Sequence, residues 1–269
     1  MSDVITYEQP LNERIRTFLR LEFLLARVDF AMQHDDEMSH REAIDAMLSM
    51  LQVFERGDMK SEVTKEVERL ITNLSALENS PGVDKETLDA LLAELDQTLD
   101  ALQIRKTSIG QVLKENEFLY SIRQRSSIAG GTCDFDLPAY HYWLQHSSVE
   151  QRQQQLNYWL EQFVAVRGAI NISLQLIRGS AGFSGAQAEK GFYQRSLDSN
   201  LPTQLIRVRI PSSTPYYPEI SGGKHRFTVR FMTFDINQRP HKLMMMRIFS
   251  LAVAQCNYGI ESKLSTMRT

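Results

Sequence analysis

Cysteine is scarce: Cys133 and Cys256 are the only two, far apart and in no CxxC, so the sequence offers no disulfide framework, zinc knuckle or redox pair. Both are expected to be reduced and structural. Glycine (13) and proline (8) are also few, and with 42% hydrophobic residues the chain of 269 can bury a substantial core, as one large domain or two small ones. Neither sign of charge dominates. With 30 Lys and Arg against 33 Asp and Glu the formal net charge is -3, which excludes a nucleic-acid binder relying on overall basicity while leaving room for local basic patches. The longest apolar run, Leu243 to Cys256, is interrupted by Arg247 and falls short of the ~20 residues of a spanning helix, so no membrane span is expected. The opening MSDVITYEQPLNER has no basic start followed by an apolar core; a cytoplasmic location is expected.

What is present is helical periodicity, then strand periodicity. Ile15, Phe18, Leu19, Leu25 and Val28 place a first helix from the N-cap Asn12 to about His34. A capping box, Ser39 with Glu42, starts a second helix that carries Ala43, Met47, Leu51 and Phe54 up to Gly57. Val63, Val67, Leu70, Leu74 and Leu77 step four, three, four, three, as do Leu88, Leu92, Leu95, Leu99 and Leu102 after the Ser80-Pro81-Gly82 break. Two narrow seams joined by a short connection predict a long antiparallel helical hairpin, an intramolecular arm rather than a separate dimerisation zipper. Another helix is expected over Ile109 to Ser121. Gly130-Gly131 then breaks the chain before Thr132 to Asp136, a short strand or an extended turn. From Ser147 to Arg178 an apolar stripe runs from Leu156 to Ile177, with the two Trp and Tyr158 read as core or interface anchors.

Beyond Gly179 a small-residue connector, Ser180 to Gly185, leads into strands. Ile206, Val208 and Ile210 alternate with Arg207 and Arg209; Phe227, Val229 and Phe231 alternate with Arg226, Thr228 and Arg230. Each strand therefore has an apolar face and an arginine face. Gly191 to Leu197 and Lys242 to Val253 are further strand candidates. The fold class is α+β: a helical domain over residues 1–180, with the possible short strand near 132–136, and an antiparallel β domain over 181–269.

Catalytic constellations are missing from the pattern. Gly222-Gly223-Lys224-His225 lacks the upstream spacing of a phosphate loop and reads as a hairpin turn. Gly179 to Gly185 contains no nucleophile elbow. His141 and His146, five apart, would point about 140° from each other on a helix, a poor metal pair. His34 and His40, flanking Asp35, Asp36 and Glu37, read as a solvated loop. No enzyme, no metal and no cofactor is expected.

The positive signal is arginine. Arg16, Arg20 and Arg27 fall within about 40° of one another on a helix. Arg123 and Arg125 precede the Gly-Gly break, and Arg207, Arg209, Arg226 and Arg230 line strand faces. Guanidinium groups bind carboxylates bidentately and stack on apolar surfaces, which suits a groove for a peptide both acidic and hydrophobic. The alternative is that each set pairs with nearby Glu13, Glu22 or Glu219, or stays in water.

Most of the chain resembles the Z-ring-associated protein D (ZapD) family of bacterial cell-division proteins. The likeness is carried, in order, by PLNERIRTFLRLEFL from Pro10, VFERGD from Val53, IGQ from Ile109, Arg123-Gln124-Arg125, GGTCDFDLP from Gly130 with His141 and Trp143, GFYQ from Gly191, YPEISG from Tyr217 and RFTVRF from Arg226. The tail after Pro240 is the least family-like part. The resemblance implies a homodimer, at the mid-cell division site, that binds the C-terminal tail of the tubulin-like GTPase FtsZ and cross-links its filaments into bundles. It also implies a partner-binding set of Arg20, Arg56, His141, Arg226 and Arg230, with Arg16, Arg123 and Arg125 in the same motifs. Arg56 and His141 enter through the resemblance alone. A nucleic-acid-binding module on the same arginine faces is the rival reading, weakened by the acidic total and the lack of interleaved exposed aromatics beside them.

Overall fold

The structure is a computed structural model that describes residues 3–104, 108–201 and 203–255; Cys256 lies outside them. Helices and strands segregate along the chain, as an α+β protein requires. After β1 (Val4–Pro10) come α1 (Glu13–Ala31), α2 (Glu37–Glu55), α3 (Met59–Ser75), α4 (Lys85–Ile104), α5 (Gln111–Lys114), α6 (Glu117–Ser126), α7 (Pro138–His146), α8 (Val149–Leu160) and α9 (Val164–Gly179). Then follow β2 (Ser184–Ala188), β3 (Phe192–Ser196), β4 (Thr203–Pro211), β5 (Tyr216–Gly222), β6 (Arg226–Thr233) and β7 (Arg247–Gln255). Two compact units result, one of Met1–Arg16, Asn73–Asp89 and Leu174–Thr269, the other of Thr17–Thr72 and Ala90–Ser173.

In the helical unit the apolar stripes become core: Phe18, Leu21 and Val28 of α1, Ile44, Met47 and Leu51 of α2 and Phe163 are all at most 1% exposed. Lys60 at the start of α3 and Leu102 near the end of α4 line one small crevice, so these helices run antiparallel, and Val63, Val67, Leu70, Leu95 and Leu102 of the seams are buried. The helix expected over Ile109 to Ser121 is two. Asn116 leaves helical geometry and caps α6 by accepting from the Leu119 amide at 2.9 Å. The long stripe after Ser147 is likewise two helices, joined by a 3-10 turn at Glu161–Phe163 that shifts the register while keeping Trp159 and Phe163 inside. Residues 130–137 form turns rather than a strand: the Cys133 amide donates to Gly130 O and the Leu137 amide to Cys133 O.

In the β unit two antiparallel sheets face each other, ordered β1-β4-β7-β2 and β3-β6-β5. Alternation decides the inner faces. Ile206, Val208, Ile210, Phe249 and Leu251 from one sheet meet Phe227, Val229 and Phe231 from the other, with Phe231 and Phe249 ring centroids 5.1 Å apart. Strand β1, which the sequence did not announce, pairs along its whole length with β4, from Val4 opposite Pro211 to Pro10 opposite Leu205. The supposed connector supplies β2 from Ser184 onward. Gly222 to His225 close the β5–β6 hairpin, the Gly223 amide donating to Arg226 O at 3.0 Å. Between β2 and β3, Gly191 has φ +67 and a Cβ there would lie 1.9 Å from Leu243 O, so only glycine fits.

Candidate partner-binding surfaces

On the helical unit the sequence-selected cations divide into free and engaged. Arg20 lies on the exposed side of α1, opposite the buried Phe18, Leu21 and Leu25, and Arg56 sits at the C-cap of α2, where the helix dipole favours positive charge. Neither guanidinium has an ion-pair or hydrogen-bond partner among the described residues. Arg27, on the same side of α1, is held by Glu42 at 2.7 Å, which raises its already high pKa. Arg123 makes a two-pronged pair with Glu55, Nη1 donating to Oε1 at 2.8 Å and Nη2 to Oε2, and this hydrogen bonding lowers the pKa of Glu55.

Arg125 and His141 meet at the 130–137 turn. Arg125 lies 3.7 Å from Asp136, and His141 Nδ1 is 3.1 Å from Asp134 Oδ1, close enough to pair when the ring is protonated but not aligned for a hydrogen bond. Arg41, a residue without any sequence signal, clamps the same turn: it donates to Thr132 O at 2.9 Å and Asp134 Oδ1 at 3.3 Å and stacks over the Tyr140 ring at 4.7 Å. Burial pushes the Tyr140 phenol up, so it stays protonated. Tied back in this way, the turn leaves Phe135 84% exposed.

The β unit also sorts its arginines. Arg16 pairs with Glu13 one turn back on α1. Arg226 and Arg230 project from β6 on the face opposite Phe227, Val229 and Phe231; both are exposed and partnerless among the described residues. Arg207 and Arg209 carry the same alternation on β4 yet are structural. Arg207 donates to Glu8 Oε1 at 2.9 Å and to Arg178 O at 3.1 Å, while Arg178 reaches Glu8 Oε2 at 2.7 Å. Burial lowers the pKa of Arg207, an effect Glu8 opposes. Arg209 stacks 3.8 Å over the Phe183 ring. Arg195 on β3, which the sequence did not single out, is exposed and likewise unpaired among the described residues. Its only sequence signal is its place in a strand flanked by polar residues.

Both units thus present exposed guanidinium groups that are unpaired among the described residues, Arg20 and Arg56 on helices and Arg195, Arg226 and Arg230 on strands, and a guanidinium can bind a carboxylate bidentately. Among the described residues no helix is long and apolar enough to cross a membrane.

Comparison with known proteins assigns the chain to a lineage. The sequence profile of ZapD, described as a cell division protein, matches residues 19–230, which include Arg20, Arg56, Arg123, Arg125, His141, Arg226 and Arg230 but not Arg16. Cell division protein ZapD of Methylococcus capsulatus is 39% identical over 240 residues, 89% of this chain and 94% of that protein. Cell division protein ZapD of Ralstonia pickettii is 38% identical over 256 residues, 95% of this chain and all of that protein. With the match running through nearly the whole of the chain, this protein belongs to the ZapD family of cell division proteins.

Proposed function

We propose that this protein binds the C-terminal tail of FtsZ and, as a homodimer, ties neighbouring FtsZ filaments into bundles at the cytoplasmic mid-cell division site. It does so by binding, not by catalysis. Family membership supplies the division machinery as the setting. The observation that carries the reading is that Arg20, Arg56, Arg226 and Arg230 spend their charge on no internal anion among the described residues. A guanidinium with no internal partner is available to an incoming carboxylate, which it can hold by a two-pronged, charge-assisted pair. Arg16, Arg123, Arg125 and His141 complete the proposed set as engaged groups that hold the local framework and exchange partners at lower gain.

Two copies of such a surface in one dimer can hold tails from two filaments. Many tails on a polymer raise the effective concentration, so each contact works while weak. The test is titration of an FtsZ tail peptide into the full chain while solution mass is measured. The expected result is saturable binding of one tail per subunit to a dimeric species. No binding at high peptide concentration, or a duplex oligonucleotide binding more tightly than the peptide, would overturn the reading.

A further inference from the structure

Strand β3 ends its sheet: its partner β6 lies on one side and, among the described residues, no strand pairs on the other. Antiparallel pairing makes successive residues point their backbone groups alternately toward and away from the partner strand. Phe231 N donates to Gly191 O at 2.9 Å and Leu197 N donates to His225 O at 2.8 Å, so the odd-numbered residues of β3 face β6. The N–H and C=O groups of Gln194 and Ser196 therefore point to the open side. Strand β2 meets β3 only at their hairpin, through Glu189 and Phe192, and then joins the other sheet.

The four edge strands are not alike. β5 carries Pro218, which has no donor, and β1 ends on Pro10. Neither β1, β2 nor β5 contains a Lys or Arg, whereas β3 contains the exposed Arg195, unpaired among the described residues. Beside it Ser196 stands directly opposite Arg226 and Phe192 opposite Arg230. A strand added outside β3 would run about 9.6 Å from β6, twice the usual strand spacing. Arg226, with only the short Ser196 between, can reach a carboxylate across that span on one face of the sheet. Arg195 meets the next residue of the added strand on the other face.

We infer that the open edge of β3 accepts an extended acidic peptide as a fourth strand of this sheet, with backbone hydrogen bonds to Gln194 and Ser196 and with Arg195 and Arg226 reading its carboxylates. This is strand addition. The inference rests on the tail-binding reading above and gives it a binding mode.

The test uses the full chain and the FtsZ tail peptide. Bound at saturation, the peptide slows amide exchange at Gln194 and Ser196 by about tenfold or more, while Tyr193 and Arg195, already bonded to β6, do not change. A scan of singly N-methylated peptides weakens binding at alternate positions by about 3- to 10-fold, the factor for one lost hydrogen bond, and is tolerated between them. Binding that leaves the Gln194 and Ser196 amides unaltered, or a scan without period two, overturns strand addition while the tail-binding reading stands. Protection of those amides in the free protein that grows with its concentration assigns the edge to a second copy and also overturns it. Failure of the peptide to bind overturns the tail-binding reading and this one together.

Discussion

Reversing the charge of Arg226 and Arg230 together to Glu separates binding from folding. Both side chains are exposed and lack a partner among the described residues, so their loss removes no internal hydrogen bond or ion pair. Substitutions of this kind change stability by about 0.5 kcal/mol or less. Glu219 stands opposite Arg230, so a Glu at position 230 exchanges an opposite-charge neighbour across the strands for a like-charge one, a cost of up to about 1 kcal/mol. Binding responds more strongly. An exposed ion pair is worth roughly 0.2–1 kcal/mol, and reversal replaces attraction by a repulsion of similar size. Two such sites amount to roughly 1–4 kcal/mol, or about a 5- to 1000-fold weaker Kd. Fluorescence anisotropy with a labelled FtsZ tail, read beside a thermal melt, measures both quantities. The loss shrinks as salt rises, since exposed charges are screened over about 8 Å at 0.15 M. Unchanged affinity, or an affinity loss that tracks a lowered Tm, refutes the claim that these arginines serve a partner.

Strand β4, in the other sheet, gives the opposite outcome. Arg207→Ala on β4 leaves Glu8 with only Arg178 in a half-buried site and removes the bond to Arg178 O, so it should destabilise by about 2–3 kcal/mol, read as a lower urea midpoint. Stability should also fall in mild acid. His40 is fully buried, its Nδ1 accepts from Arg152 Nε at 2.9 Å, and burial first, then the Arg152 charge, lower its pKa from 6.5 against the weaker opposing pull of Asp35 and Asp36. The unfolded chain therefore takes up a proton that the folded chain resists. The contribution is intact above pH 6.5 and is lost as pH falls from there through the lower folded value. Urea melts of wild type and His40→Gln between pH 7.5 and 5 should diverge on this account; parallel curves refute it.

Much of the architecture was legible because it is written in local periodicity. The paired four-three seams of α3 and α4, the alternation of Phe227, Val229 and Phe231, and the Gly222–His225 turn each follow from how one segment buries one face. Strand β1 was not legible, since VITYEQP has only partial alternation and gains its state by pairing with β4 some two hundred positions later in the chain. Nor were the breaks inside the helical stripes, where Asn116 and a 3-10 turn interrupt a periodicity that continues on either side.

The sharpest limit concerns the arginines. Arg207 with Arg209, two places apart, and Arg226 with Arg230, four apart with Thr228 between, all lie on the face of a strand that alternates with buried apolar residues. By itself the sequence determined that these charges lie off the apolar faces of two strands. Only the tertiary structure decided which are spent. It brings Glu8, Phe183 and Arg178 against β4 and, among the described residues, no anion against Arg226, because ion pairing depends on side chains within about 4 Å whatever their distance in sequence, and that proximity exists only after the sheets form.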